Sequence, residues 1–518
     1  MAARLLRLVS AAALACAVAA CIQDDGSRFD PVPGRTRMSA DSERELGWQF
    51  DLEAQKVLPM ITDLEVLEFV NDLGNVMIDG LGEQPFDYRF RVIVNPELNA
   101  FAVPGGYIYF HSGTLLTTGD VEELAGVLAH ELAHVKGHHH ARLVQETALP
   151  NLLASLAGIA AGAATGSAGP LLAAQGVNVA LQLQYTRQFE DEADRVGAVF
   201  LTRAGYRPDG MVRFFERILL EKDRRPEGEI PSYLYSHPQV ESRIDVVRGL
   251  ELEPTRTPPR FAERFRAMQQ RVAYLVAKGR AGPASVAPHD RARTQPFLDA
   301  AAARRRANDV DGALAQLLEA ERAEPGDPRV PVLRGDILLE AGRPADAAVA
   351  YRRAIHLDPN PPAVLLALGR AHRDAGDRRD AIFFTEQALW RTGARGVLRQ
   401  QAERQLERLI FPVIAESGFG DERATPASGV PRLPAGGAPI DWWARIGPHY
   451  VGVMEYLRVR WTDPSGAVVR DEKPKKSQRV YFGDRLETGD STPAPGEWKV
   501  DVLLANDLVH TQRFVVAD

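Results

Sequence analysis

Cysteine is almost missing from this chain. Two of its 518 residues are cysteine, Cys16 and Cys21, so the body of the protein holds no pair and no internal disulfide braces it. A surplus of positive charge is missing too: 62 Lys and Arg stand against 69 Asp and Glu, a formal net charge of -7. That excludes the basic groove of a nucleic-acid binder, and points such as Arg304-Arg305-Arg306 read as solvated helix faces. A clean apolar run of membrane-spanning length is also lacking. Thr147 to Thr186 has no charged residue, but Pro150, Pro170 and many glycines interrupt it, and a span needs about twenty consecutive apolar residues. It reads as two Gly-broken amphipathic segments, packed on the domain or lying against a membrane.

What is present begins with an export signal. Arg4 and Arg7 precede a short apolar core from Leu8 to Ala20, the layout of a signal peptide over residues 1–21. It ends in Val18-Ala19-Ala20-Cys21, which resembles the lipobox of bacterial lipoproteins, with Cys21 as the lipidated residue. Ile22 rather than Asp follows it, which resembles the rule for outer-membrane sorting. Residues 22–38, polar and rich in Gly, Pro and Asp, read as a flexible tether. The expected location is the periplasm, with a lipid on Cys21 holding the chain to the outer membrane.

The chemistry centres on His130-Glu131-Leu132-Ala133-His134. Asp120 and Glu123 form a helix-start signal, and Leu124, Val127, Leu128, Leu132 and Val135 recur at helical spacing. On such a helix His130 and His134 share a face and can present two imidazoles to one ion, which is half of a zinc site. Glu131, one position round, is placed to act as base toward the attacking water.

Two patterns compete for the third ligand. His130, Glu131, His134, Gly137 and His140 fit the metzincin form HExxHxxGxxH, in which Gly turns the chain and the third His returns to the metal. In the gluzincin form a later helix supplies a Glu. Gln188 to Asp194 offers one, with Glu190 and Asp194 on one face. Glu190 can complete the site while Asp194 holds the far nitrogen of a ligand His. Asp191 and Glu192 read as a solvated acidic face, whereas Phe189, Val196, Val199 and Phe200 bury the helix.

Upstream, Ser39 to Gly82 reads as two helices, and Phe86 to Val94 as a strand with Phe90, Val92 and Val94 on one face. Asn99, Ala100, Phe101 and Ala102 open a second extended stretch, turned at Gly105-Gly106, whose free edge can accept an extended peptide as an added strand.

HELAH, followed about sixty residues later by Glu190-Asp-Glu-Ala-Asp-Arg-Val-Gly197 and preceded by Asn99-Ala-Phe-Ala-Val-Pro-Gly-Gly106, resembles the M48 family of zinc metallopeptidases. The resemblance implies an α+β zincin fold of gluzincin type over residues 39–250 and one Zn2+ per chain. It implies His130, His134 and Glu190 as ligands, Glu131 as catalytic base and Asp194 behind the ligands. It also marks His237, in Ser236-His237-Pro238, as a gate or fourth ligand. The implied role is an endopeptidase in envelope protein quality control, with unfolded or misfolded envelope proteins as substrates.

The rest of the chain is modular. Residues 251–296 read as a linker with one helix. Ala307, Ala341 and Ala375 recur every 34 residues, as do Ala313, Ala347 and Ala381, the tetratricopeptide period. Residues 297–411 thus read as an all-α solenoid of three repeats and a capping helix, with a concave face for a protein partner. After a linker at 412–440, residues 441–518 alternate as strands of a β-sandwich-like module. The solenoid opens a reading of another class: an assembly or scaffold factor in which peptidase activity is latent.

Overall fold

The computed structural model describes residues 38–79, 86–146, 185–226, 229–259, 261–278, 290–358, 361–392, 396–411, 414–419, 431–433, 440–447, 457–476, 481–486, 493–504 and 507–517. Cys21, the tether up to residue 37 and nearly all of the uncharged stretch 147–186 lie outside them. No helix among the described residues is long and apolar enough to cross a membrane. The chain divides into two compact units, Met1–Pro283 and Ala284–Asp518.

The first unit is built on helices α1 (Ala40–Val57) and α2 (Leu64–Ile78) and strands β1 (Arg89–Ile93), β2 (Ala100–Val103) and β3 (Tyr107–His111). The sheet order is β1-β3-β2, with β1 parallel and β2 antiparallel to β3. β2 is therefore an edge, and a turn over Pro104–Gly106, with Gly105 at φ 78°, returns it to β3.

The alternation expected in β1 does not hold. All five residues are buried, Arg89 and Arg91 included, and Val94 is exposed. The reason is that both faces are covered. Phe90 packs toward Gly74 of α2, while Phe50 and Ala54 of α1 join Phe101, Val103, Tyr107 and Tyr109 in a core on the opposite face. Arg91 on that face is satisfied by Asp51 of α1, with Nε and Nη2 donating at 2.9 and 2.8 Å, and the Tyr109 hydroxyl also donates to Asp51 at 2.7 Å. A buried charge survives because it is paired and hydrogen-bonded.

Helices α3 (Val121–Lys136), α4 (His139–Glu146), α5 (Arg187–Ala204), α6 (Asp209–Asp223) and α7 (Val240–Arg248) follow. Asp120 caps α3, its carboxylate accepting from the amides of Glu122 and Glu123. Glu123 reaches back one residue further out, to the Gly119 amide at 2.9 Å. α8 (Ala262–Lys278) buries Phe265, Met268 and Val272, and Phe69 of α2 meets Phe265 and Phe261. The helix expected inside a linker is therefore packed on the first unit.

The second unit opens with α9 (Arg291–Arg306), α10 (Val310–Ala323), α11 (Arg329–Glu340), α12 (Pro344–Leu357), α13 (Pro362–Asp374), α14 (Arg378–Arg391) and α15 (Val397–Ile410). Ala313, Ala320, Ala347, Ala354, Ala381 and Ala388, at the 34-residue period, are all fully buried where paired helices approach. α9 runs through Pro296 and starts ahead of residue 297.

Strands β4 (Ile414–Phe419), β5 (Arg432–Leu433), β6 (Ile440–Ile446), β7 (Leu457–Thr462), β8 (Val468–Glu472), β9 (Lys475–Lys476), β10 (Tyr481–Leu486), β11 (Gly496–Leu504) and β12 (Asp507–Val516) end the chain. They make two sheets, β4-β6-β10-β9 and β5-β12-β11-β7-β8. Trp442 from one and Trp461, Trp498 and Phe514 from the other share one apolar cluster. Strands thus begin at Ile414, inside the segment expected to be a linker.

Candidate metal centre

α3 runs through the core with Leu124 to Val135 buried, because α5 and α6 pack on it. Two glycines on its sides allow that approach. A Cβ on Gly126 would lie 2.7 Å from the Met211 backbone of α6, and one on Gly197 of α5 would lie 3.1 Å from the Ala129 backbone. α5 is capped by Thr186, whose hydroxyl accepts from the Phe189 amide, and its first turn aims Glu190 at α3.

His130 Nε2 and His134 Nε2 lie 2.9 Å apart. Glu190 Oε1 is 3.4 Å from His134 Nε2, and Glu190 Oε2 is 3.6 Å from His130 Nε2. His237, at the end of the turn Tyr233–Ser236, brings Nδ1 to 3.2 Å from His130 Nε2 and 3.0 Å from Glu190 Oε1. These four residues are buried, and one donor atom from each lies within 4.8 Å of the others. Bonds of about 2.0 Å to a tetrahedral ion set its ligands roughly 3.3 Å apart, so the donor spacing and the His/His/Glu chemistry fit a divalent cation of the zinc type.

Glu131 stands beside this group, its Oε1 3.5 Å from His237 Nε2. Its carboxylate faces the Ala102 amide, and neither oxygen closes a hydrogen bond of normal geometry. Burial pushes its carboxyl up to about 7, with Glu190 adding to the rise and His237 opposing it. Burial, together with the neighbouring Arg243 for His130 and the neighbouring His130 for His134, holds both imidazoles well below their ordinary range and hence neutral, as metal ligands must be. Burial works against ionisation of Glu190, but the Arg243 and His237 charges outweigh it and hold the carboxyl well below its usual value.

Asp194 Oδ1 lies 3.0 Å from His130 Nδ1. The sequence reading missed its second partner, Arg243, which donates from Nε to Asp194 Oδ2 at 2.7 Å and touches Glu190 Oε2 with Nη1 at 2.5 Å. A signal existed: Arg243 falls on the same helical stripe as Val240, Ile244 and Val247, where a charge has no reason to be unless something buried pairs with it.

The three consecutive histidines separate. His138, at φ 51°, binds Glu43 of α1 through Nδ1 at 2.7 Å. His139 Nδ1 lies 2.8 Å from His134 Nδ1. His140 is turned from the donor group: its Nε2 donates to the Ala102 carbonyl at 2.6 Å, with the Tyr185 hydroxyl at the same distance. Glu192, read from sequence as solvated, accepts from Arg142 Nη1 at 2.9 Å and faces His139.

On β2, Asn99 accepts from the His111 amide at 3.0 Å, and Phe101 pairs with Tyr109. Ala100 and Ala102 therefore aim their backbone groups away from β3, on a side where His140 covers the Ala102 carbonyl and Glu131 faces its amide. His372, Asp377 and Asp380 form the other donor trio among the described residues. It is already engaged: His372 Nδ1 meets Asp377 at 3.0 Å, and Arg352 donates to Asp380 at 2.7 Å.

Comparison with known proteins bears out the resemblance. Residues 69–251 match the model of Peptidase family M48, and residues 338–389 match a tetratricopeptide repeat model. The beta-barrel assembly-enhancing protease of Escherichia coli is 28% identical over 360 residues, 66% of this chain and 72% of that one. A Vibrio cholerae protein given the same name provisionally is 36% identical over 191 residues, but these are 36% of this chain and only 39% of its relative. The mitochondrial metalloendopeptidase OMA1 of Schizosaccharomyces pombe is 27% identical over 208 residues, 40% of this chain and 58% of its own length.

Proposed function

We propose, from a chain whose residues 69–251 are similar to M48 metallopeptidases, that this protein is a zinc-dependent endopeptidase of the bacterial cell envelope. The observation that carries the reading is the meeting of His130, His134 and Glu190 in one buried group with the Glu131 carboxylate beside it. The reading assigns residues 39–250 to a gluzincin-type peptidase domain, with His130, His134 and Glu190 as the ligands of one Zn2+. Bound zinc supplies Lewis-acid polarisation of the scissile carbonyl.

The protein's own groups do the rest. Glu131, buried beside the donor group, takes a proton from the attacking water and returns one to the leaving nitrogen. Asp194 orients His130, and Arg243 fixes Asp194 and Glu190. His237 acts as a gate, a fourth donor that withdraws for substrate. An extended substrate lies along β2, using the backbone of Ala100 and Ala102 within the stretch Asn99 to Ala102.

The envelope setting rests on the export signal at 1–21 and on relatives named beta-barrel assembly-enhancing protease. In this reading Cys21 carries a lipid into the outer membrane, and unfolded or misfolded envelope proteins are the substrates. The tetratricopeptide segment offers its concave face to a protein partner. The C-terminal strands form a β-sandwich-like docking or spacer module, supported by their shared apolar cluster.

The test is zinc content and casein cleavage of the mature soluble form. Glu131→Gln is expected to keep about one zinc and lose cleavage, while Glu190→Ala loses the metal. If the metal-loaded wild type and a metal-loaded His237→Ala variant both cleave nothing, the peptidase reading is overturned.

A further inference from the structure

An imidazole that ligates through Nε2 must carry its proton on Nδ1, so whatever faces Nδ1 decides whether the ligand is ready. For His130 that neighbour is Asp194. For His134 it is another histidine. His134 turns Nε2 toward His130 and Glu190, and its Nδ1 lies 2.8 Å from Nδ1 of His139. Between two neutral rings that contact holds a single proton, with one nitrogen donating and the other accepting.

We propose that His139, set by Glu192, is the positioning residue that holds His134 in its metal-binding tautomer. This rests on the reading of His134 as a ligand. If His134 Nδ1 donates, His139 Nδ1 accepts and the His139 proton sits on Nε2. That nitrogen faces Oε1 of the Glu192 carboxylate at 3.5 Å, and Arg142 Nη1 donates to Oε1 at 3.1 Å and to Oε2 at 2.9 Å, so the group is an acceptor only. The opposite arrangement points the bare Nε2 of His139 at a carboxylate. It also forces the His134 proton onto Nε2, the nitrogen the metal needs. The carboxylate thus selects the useful arrangement through two rings.

The seat of His139 is built to hold this orientation. The ring is fully buried and stacks on Phe189 at 4.7 Å and 11°. Phe189 precedes Glu190 on α5, and the Arg142 guanidinium lies 4.6 Å from the same phenyl ring. Gly137 makes the room: a Cβ there would lie 2.4 Å from His139 Nε2 and 2.8 Å from its Cδ2. Gly137 has an ordinary φ of -76°, so this position needs the missing side chain and not a left-handed turn. The left-handed residue is His138, which brings the next ring back under α3.

The experiment measures zinc affinity of the full mature chain by competition with a chromogenic chelator, alongside thermal unfolding of the EDTA-treated protein. His139→Leu removes the acceptor and is expected to weaken zinc binding by about 10- to 100-fold. His139→Asn, whose Oδ1 can take the place of Nδ1, is expected to stay within about threefold of wild type. Equal losses in the Asn and Leu variants, or a Leu variant that binds like wild type, overturn the proposal. A wild type that binds no zinc overturns the ligand reading beneath it. A second measurement needs no variant: NMR of EDTA-treated protein with 15N-labelled histidine should show a proton on Nδ1 of His134 and on Nε2 of His139 with no metal present to impose it. The reverse pattern overturns the proposal even if a variant fails to fold.

Discussion

Arg243 grips Asp194 with two parallel hydrogen bonds, Nε to Oδ2 at 2.7 Å and Nη2 to Oδ1 at 2.8 Å. The same guanidinium reaches Glu190 Oε2, so one buried cation stands between two buried carboxylates on successive turns of α5. Without it, both buried carboxylates would lose the cation that pairs with them. Breaking a buried ion pair by removing one member costs about 3–5 kcal/mol. Arg243→Met should therefore lower the stability of the EDTA-treated protein by roughly that amount, read from urea unfolding. A loss below about 1 kcal/mol would mean that the carboxylates find other partners or take up protons.

His140 and Ala102 set the next expectation. The His140 imidazole occupies the carbonyl that an added strand would use, and it lies outside the group of four candidate metal donors. On the proposed peptidase reading, His140→Ala should keep the metal content of wild type and lower KM for an extended peptide several-fold. Loss of the metal in this variant would instead return the third-ligand role to His140. A steady-state comparison of kcat and KM with metal content separates the two.

Much of this arrangement was legible in the sequence because helical spacing carries it. His130, Glu131 and His134 share one helix and Glu190 and Asp194 another, so a local period of 3.6 residues foretold which side chains would stand together. The 34-residue alanine period did the same for the solenoid. What stayed hidden were pairings across long separations. Arg91 with Asp51, and Arg243 with Asp194, are charges whose burial is decided by a partner 40 or 49 residues away, which no local pattern displays. His139 was hidden differently: in a run of three histidines the HExxHxxGxxH template drew attention to His140, whereas the structure turns the middle ring toward His134.

Gly126 offers a test of how closely the helices must approach. In a helix interior alanine normally stabilises relative to glycine by about 1 kcal/mol. Here a Cβ would meet the Met211 backbone at 2.7 Å, so the clash outweighs the propensity gain. Gly126→Ala is expected to cost about 1–3 kcal/mol, because α3 and α6 must separate. A stabilised variant in urea unfolding would show that the helices can yield.

His111, at the end of the central strand β3, makes acid sensitivity attributable to one residue. Burial pushes its imidazole down from 6.5 to about 4, against smaller raising effects from Glu97. A depressed folded-state value means that between these two values the unfolded chain binds more protons than the folded one. Stability therefore rises with pH across that window. The contribution is fully present above about pH 6.5 and lost as pH falls toward 4. His111→Leu removes this titration. The stability of wild type relative to His111→Leu, measured by urea unfolding after EDTA treatment, should fall by roughly 3 kcal/mol between pH 7.5 and 4. EDTA matters because release of a metal from the proposed site at His130 and His134 on acidification would add its own slope. A stability difference that stays constant with pH would show that His111 becomes protonated in the folded protein as readily as in the unfolded chain.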